Sequence, residues 1–309
     1  CPSTAAYITI HNMATWMVAQ FGNADIQKQI APKMASGEWL GSYCLTEPGA
    51  GSDAGNLRTK ATRDGDSYVL NGSKVFISGA GATQMLVVMA RTGEPGSGPK
   101  GISAFVVPAD SDGIHYGKAE EKMGWNSQPT RQITFENVRV PANNRLGEEG
   151  QGFMIAMKGL DGGRLNIATC SIGGAQAALL RARNYMHERE QFGQALAGFQ
   201  ALQFKLADMA TNLVAARQMV RLAAYRLDQG DTEATLHCAM AKRFATDACF
   251  EVCNEALQLH GGYGYIREYP LERYVRDLRV HQILEGTNEI MRLIVARRLL
   301  EPGVAEAIQ

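Results

Sequence analysis

The sequence of 309 residues predicts an α+β protein with a helical N-terminal part truncated at its start, a central antiparallel β domain, and a C-terminal domain like a four-helix bundle. Three observations carry this. Apolar residues recur at helical spacing through the first forty positions. Near Gly41 the text changes to short β-rich runs punctuated by Gly, Asp and Pro. From Gln151 it becomes helical again almost to the end. The expected boundaries are 1–41, 42–147 and 148–309.

In the first part, Ile8, Met13, Trp16, Met17 and Phe21 approximate a 3–4 spacing, Gly22-Asn23 interrupts it, and Ile26, Ile30 and Met34 resume it at intervals of four. In the second part, Tyr68-Val69-Leu70 and Lys74-Val75-Phe76-Ile77 flank Asn71-Gly72, which predicts a hairpin with its turn at that dipeptide. Leu86–Met89, Ile102–Val107 and Ile133–Phe135 continue the strands, with 94–99 as a Gly/Pro-rich connector. In the third part, Leu202, Leu206, Met209 and Leu213 mark one helix face, and Leu236, Met240, Phe244 and Ala248 mark another.

Hydrophobic residues make up 45% and charged residues 20%, which excludes a disordered or fibrous chain. Lys+Arg 31 balances Asp+Glu 31, so no net charge draws the chain to nucleic acid or anionic lipid. No 18-residue apolar run predicts a membrane span. The 6 cysteines form no CxxC pair, as expected of reduced thiols in a bacterial cytoplasm or a mitochondrial matrix.

Four segments can carry chemistry, and each also has an ordinary structural reading. Cys44–Asp53 is glycine-rich; it is either a surface loop or a turn offering N–H groups and the Ser52 hydroxyl to phosphate. Gly49, Gly51 and Ala54 fit G-x-G-x-x-A, but the strand-like text that follows excludes a dinucleotide-binding βαβ unit. Phe76 and Ser78 end a strand before flexible glycines, either as core residues or as contacts for a flat ring. Gln258–Tyr265 closes a helix with paired glycines, which serve as a C-cap or admit a phosphate. Glu285 precedes Gly286 and a helix capped by Thr287 or Asn288. It is either an exposed loop glutamate or a desolvated general base with a raised pKa. Cys249 and Cys253 read as buried structural thiols, and no histidine pair has metal-ligand spacing.

In order and in register, Tyr43–Asp53, Phe76-Ile77-Ser78, Arg189–Gly193, Gln258–Gly264 and Glu285-Gly286-Thr287 resemble the acyl-CoA dehydrogenase family over essentially the whole chain. The resemblance implies an FAD enzyme that oxidises an acyl-CoA thioester to its α,β-enoyl-CoA. It makes Glu285 the base for the α proton, with the β hydride passing to flavin N5. It places Tyr43, Leu45, Thr46, Ser52, Phe76, Ile77 and Ser78 along the flavin. It assigns Arg189, Phe192, Gln200, Gln258, Gly261, Gly262, Thr287 and Glu289 to the FAD of a neighbouring subunit. Ser52, Asp161, Arg164, Gly286 and Arg297 would meet the acyl-CoA. A shared cofactor implies a homo-oligomer, usually a tetramer, with an electron-transferring flavoprotein as acceptor.

Some branches of the family carry the base two residues after the position matching Asp161, where this chain has Gly163, so Glu285 is the base expected here. The wording at 1–8, 124–131 and 281–285 is similar to a branch acting on short, 2-methyl-branched acyl thioesters. Family members also begin with further helices, which implies that this chain is a truncated form. An acyl-CoA oxidase and a catalytically silent helical scaffold are the alternatives. The first would show rapid aerobic reoxidation of the flavin, and the second would lack flavin absorbance.

Overall fold

A computed structural model describes residues 1–94 and 96–308; Pro95, within the expected connector, lies outside them. Contacts divide the chain into two units. One comprises Tyr7–Lys122 and Asn126–Leu160; the other comprises Cys1–Ala6, Met123–Trp125 and the chain from Asp161 onward.

The first unit contains most of α1 (Pro2–Phe21), then α2 (Ala24–Gln29) and α3 (Ala31–Ala35). Asn23 caps α2 by accepting N–H bonds from Asp25 and Ile26. The inward face of α1 is Ile10, Met13, Ala14, Met17 and Val18, whereas Ile8 and Trp16 from the expected stripe are exposed.

The strands are β1 (Gly41–Cys44), β2 (Lys60–Asp64), β3 (Ser67–Ser78), β4 (Met85–Arg91), β5 (Ile102–Pro108), β6 (Ile114–Tyr116), β7 (Thr130–Pro141) and β8 (Arg145–Leu146). They form one sheet in the order β6-β7-β3-β2-β4-β5-β8, with β1 on β4. Pairing is antiparallel except for β1 on β4 and the single Lys60–Arg91 step of β2 on β4. β4 and β5 are buried on both faces. Met85, Val87 and Met89 pack in the cluster shared with α1, and Leu86, Val88 and Ala90 pack with β3 and β7.

The expected hairpin at Asn71-Gly72 is corrected by the structure. β3 runs unbroken through both residues because the twelve residues of β7 pair along its whole length, from Ser67–Pro141 to Ser78–Thr130. Asn71-Gly72 is a bulge in that ladder. A Cβ on Gly72 would lie 2.6 Å from the Thr59 hydroxyl oxygen, so the glycine permits a close strand approach. The turn itself is Gly65-Asp66, closed by the Asp64–Ser67 pair, with Gly65 at φ 58°.

The second unit is helical: most of α4 (Gly152–Glu188), then α5 (Gln200–Asp228), α6 (Ala234–His260), α7 (Gly262–Tyr265), α8 (Leu271–Arg279), α9 (Asn288–Leu299) and α10 (Val304–Ala307). A small hairpin, β9 (Glu190–Gln191) and β10 (Gln194–Ala195), joins α4 to α5. The core is drawn from α4, α5, α6 and α8 and is rich in alanine, which lets helices approach closely. The deeply buried line of α6 is Cys238, Ala241, Ala245, Cys249 and Val252, rotated from the expected Leu236–Ala248 face. Small residues occupy the tightest contacts, and Met240, Phe244 and Ala248 flank them half-buried. Among the described residues, no helix is long and apolar enough to cross a membrane.

Candidate active site

In the sheet unit, two of the sequence segments are stapled together. The Val75 N–H donates to the Thr46 carbonyl at 2.9 Å. The ammonium of Lys74 donates to the Leu45 carbonyl at 3.0 Å and to Glu47 Oε1 at 2.8 Å. Glu47 also accepts the main-chain N–H groups of Arg58 and Thr59 at 2.6 and 2.8 Å. Burial would raise the Glu47 carboxyl, but the Lys74 charge and these bonds outweigh it and hold it below the usual range. The loop carrying Leu45, Thr46 and Ser52 is thereby fixed to the strand carrying Phe76 and Ser78.

Phe76 sits at the second register shift of β3, at φ 59°, and is 69% exposed. A bulge re-aims one side chain without breaking the sheet, and here it lifts an aromatic ring out of the core. Ile77 turns the other way into the core, and its carbonyl accepts the Ala80 N–H at 3.4 Å. The Ser78 hydroxyl accepts from Gln128 Nε2 at 3.3 Å, and its carbonyl accepts from Ser42 Oγ at 2.7 Å. Tyr43 is half-buried and Leu45 buried, while Ser52 is exposed. Nothing stands within 4 Å of where a Cβ would lie on Gly49 or Gly51.

In the helical unit, Glu285 is held at φ 53° and Gly286 at φ 87°. The Thr287 hydroxyl then caps α9 by accepting the Ile290 N–H at 3.3 Å. Glu285 Oε2 is buried and has no hydrogen-bond partner. Burial pushes this carboxyl up to about 7, against the opposing pull of Lys242 and then Arg164. Its protonated and ionised forms are therefore both accessible near neutral pH, as a general base requires.

Three groups surround this turn. Lys242 is fully buried and donates to the Gly286 carbonyl at 2.7 Å and to Asn288 Oδ1 at 2.9 Å. Arg164 is buried against Asp161 at 2.6 Å, and Asp161 also accepts the Thr235 hydroxyl at 2.7 Å. The Trp125 indole donates to His281 Nε2 at 3.0 Å, and the other ring nitrogen, Nδ1, lies 2.7 Å from Ser171 Oγ. The indole can only donate, so Nε2 accepts and Nδ1 carries the proton. Sequence reasoning missed Lys242 and the His281 chain. A charged residue inside an alanine-lined helical stripe was the available signal for Lys242.

A separate cavity of about 800 Å³ in this unit is lined by Arg189, Gln258, Gly261, Gly262, Tyr185 and Tyr263, among others. The Arg189 guanidinium lies 6.0 Å from the Tyr263 ring centroid. Gly261 adopts φ 59°, and no atom lies within 4 Å of a Cβ placed on it or on Gly262. Phe192 and Gly193, at φ 54° and 81°, form the two-residue turn of the β9–β10 hairpin, which leaves Phe192 94% exposed. Gln200 begins α5, Glu289 lies in the first turn of α9, and Arg297 is exposed in its last turn. A cavity of about 1160 Å³ in the sheet unit, lined by Lys28, Lys33, Trp39 and Tyr116 among others, contains none of the expected residues.

Residues 42–138 match the family described as acyl-CoA dehydrogenase, middle domain, and residues 150–300 match acyl-CoA dehydrogenase, C-terminal domain. The mitochondrial isobutyryl-CoA dehydrogenase of Bos taurus is 55% identical over 301 residues, which is 97% of this chain and 72% of the relative. The protein of the same name from Dictyostelium discoideum is 56% identical over 297 residues, 96% of this chain and 71% of the relative. The structure of butyryl-CoA dehydrogenase from Megasphaera elsdenii superposes with a TM-score of 0.94 at 42% identity, covering 97% of this chain and 78% of that one. With both domain families matched and identities above one half across nearly its full length, the chain belongs to the acyl-CoA dehydrogenase family.

Proposed function

We propose that this chain performs FAD-dependent α,β-dehydrogenation of a short branched acyl-CoA, isobutyryl-CoA in the first instance, with Glu285 as the α-proton base. The observation that carries the reading is the buried, unpartnered Oε2 of Glu285 on a carboxyl whose pKa lies near neutrality. The names of the two relatives above favour isobutyryl-CoA and, with it, a place in valine degradation.

The residues present fit a flavin dinucleotide. Phe76 offers an exposed ring, Thr46 and Ser78 lie respectively on the loop and the strand joined by the Lys74–Glu47 pair, and Gly261 and Gly262 leave open space beside Arg189. When bound, FAD supplies the acceptor for the hydride from the β carbon. Glu285 Oε2 takes the α proton, and the two departures leave the carbon–carbon double bond. The thioester oxygen carries the developing negative charge, and the main-chain N–H of Glu285 is the donor this chain offers it. Gly286, Ser52, Asp161, Arg164 and Arg297 form the proposed acyl-CoA set.

Arg189, Phe192, Gln200, Gln258, Gly261, Gly262, Thr287 and Glu289 would serve the FAD of a neighbouring copy, which makes a homotetramer part of the proposal. An electron-transferring flavoprotein is the proposed oxidant of the reduced flavin. The division 1–41, 42–147 and 148–309 belongs to the same reading, as does a mitochondrial-matrix or bacterial-cytoplasmic location.

The test is anaerobic bleaching of the flavin band by isobutyryl-, 2-methylbutyryl-, butyryl- and isovaleryl-CoA. The expected order begins with isobutyryl-CoA. Fastest bleaching by a straight-chain thioester overturns the substrate, and rapid aerobic reoxidation with peroxide moves the protein to the oxidases.

A further inference from the structure

We propose that Lys242 is a positioning residue for the base: its ammonium holds the Glu285-Gly286 turn by the Gly286 carbonyl and supplies the positive charge beside which the Glu285 carboxylate forms. The proposal rests on the reading of Glu285 given above.

Lys242 lies in the middle of α6 with no exposed surface, between the core residues Ala241 and Ala245. A buried lysine is normally matched by a carboxylate. Among the described residues, no ion pair within 4 Å involves Lys242; its ammonium is spent on the Gly286 carbonyl at 2.7 Å and Asn288 Oδ1 at 2.9 Å. Asn288 is itself braced, donating from Nδ2 to Thr246 Oγ1 at 2.9 Å and to Asp247 Oδ1 at 2.7 Å. The cation therefore grips both sides of Thr287, and through them the two positive-φ residues that aim Glu285. A methionine would fill the same volume without desolvating a charge, so packing alone does not call for lysine here.

The charges around the turn differ in how far they are already committed. Arg164, on α4, is held by Asp161 at 2.6 Å. Asp247, on α6, shares its carboxylate among Asn288, Gln282 and Arg292. Glu289, on α9, is exposed and lies 3.8 Å from Arg292. His281, before the turn, stays neutral because burial and then the Lys242 charge oppose its protonation. Lys242 is thus the cation whose charge is not cancelled by a bonded carboxylate; burial lowers it to about 8, so it carries that charge where Glu285 titrates. It is also the leading charge opposing the effect of burial on Glu285.

The test compares wild type, Lys242→Met, Lys242→Gln and Lys242→Arg in the FAD-loaded protein. One readout is the pH profile of flavin reduction by isobutyryl-CoA. The other, independent of turnover, is the infrared carboxyl band that titrates in wild type and is absent in Glu285→Gln. Wild type is expected to titrate near 7 in both. Lys242→Met and Lys242→Gln are expected to move both midpoints upward by about one unit or more, because an adjacent opposite charge shifts a carboxyl by ~1–3 units. Lys242→Arg keeps the charge and is expected to stay near the wild-type midpoint. Lys242→Gln retains a donor for the Gly286 carbonyl, so it separates loss of charge from loss of the clamp should Lys242→Met fold poorly. Unchanged band midpoints in the neutral variants overturn the proposal. Near-normal flavin reduction by Glu285→Gln overturns the assignment of the base instead, and the band titration still decides the effect of Lys242.

Discussion

Glu285 and Gly286 occupy consecutive left-handed conformations, φ 53° and 87°, immediately before the Thr287 cap of α9. The φ of Gly286 favours glycine, and a Cβ there would lie 2.5 Å from the Met291 terminal methyl, which would have to move aside. A non-glycine residue at positive φ costs on the order of 1–2 kcal/mol. At Glu285 that strain coincides with the buried, unpartnered carboxyl oxygen, the association expected where backbone strain serves a reactive group.

Replacing Glu285 with Gln preserves shape and removes the base. Flavin reduction by a thioester, followed by rapid mixing, is expected to fall on the order of 10³-fold or more, with thioester binding retained. Retention of a rate within tenfold of wild type would place the base elsewhere.

His281 is held neutral, with its pKa lowered to about 3. An unfolded histidine protonates near its ordinary value of about 6.5. The native state binds fewer protons, so the stability this site contributes is full above about 6.5 and declines as pH falls toward 3. Urea midpoints measured from pH 7.5 to 4.5 should fall less steeply in His281→Gln than in wild type. Parallel slopes would mean that His281 protonates in the native state.

Arg189→Ala removes a guanidinium from the cavity beside Gly261 and Gly262. FAD retention and oligomer size should decrease together, read from the flavin-to-protein absorbance ratio across a gel-filtration peak. An unchanged ratio and elution volume would remove Arg189 from the cofactor set.

Lys74→Met leaves Glu47 buried beside two main-chain N–H groups with no countercharge. Removing one partner of a buried pair costs about 3–5 kcal/mol. Chemical denaturation should show a loss of that size, and the double variant Lys74→Met/Glu47→Leu should recover part of it. A loss below about 1 kcal/mol would show that solvent reaches the pair.

Much of the molecule follows from local pattern alone. The change from helical to β texture near Gly41 and back near Gln151 is visible because apolar spacing reports the repeat of each element directly. Phe76-Ile77-Ser78, Gln258–Gly264 and Glu285-Gly286-Thr287 were each ambiguous by local pattern, and it was their order, as contiguous motifs resembling the family, that made them legible as a site. The Thr287 cap was one of two candidates that local pattern offered. Tertiary structure decided what depended on partners remote in sequence. Asn71-Gly72 has the chemistry of a turn, yet twelve residues of β7 hold it in a bulged strand, because ladder hydrogen bonds along a long partner outweigh a local turn preference. The buried line of α6 passes through its small residues because neighbouring helices must approach closely there. The alanine-lined stripe around Lys242 signals a buried charge, but nothing local joins it to Glu285: 43 residues separate them in the chain, and only folding removes the water that would otherwise screen one charge from the other.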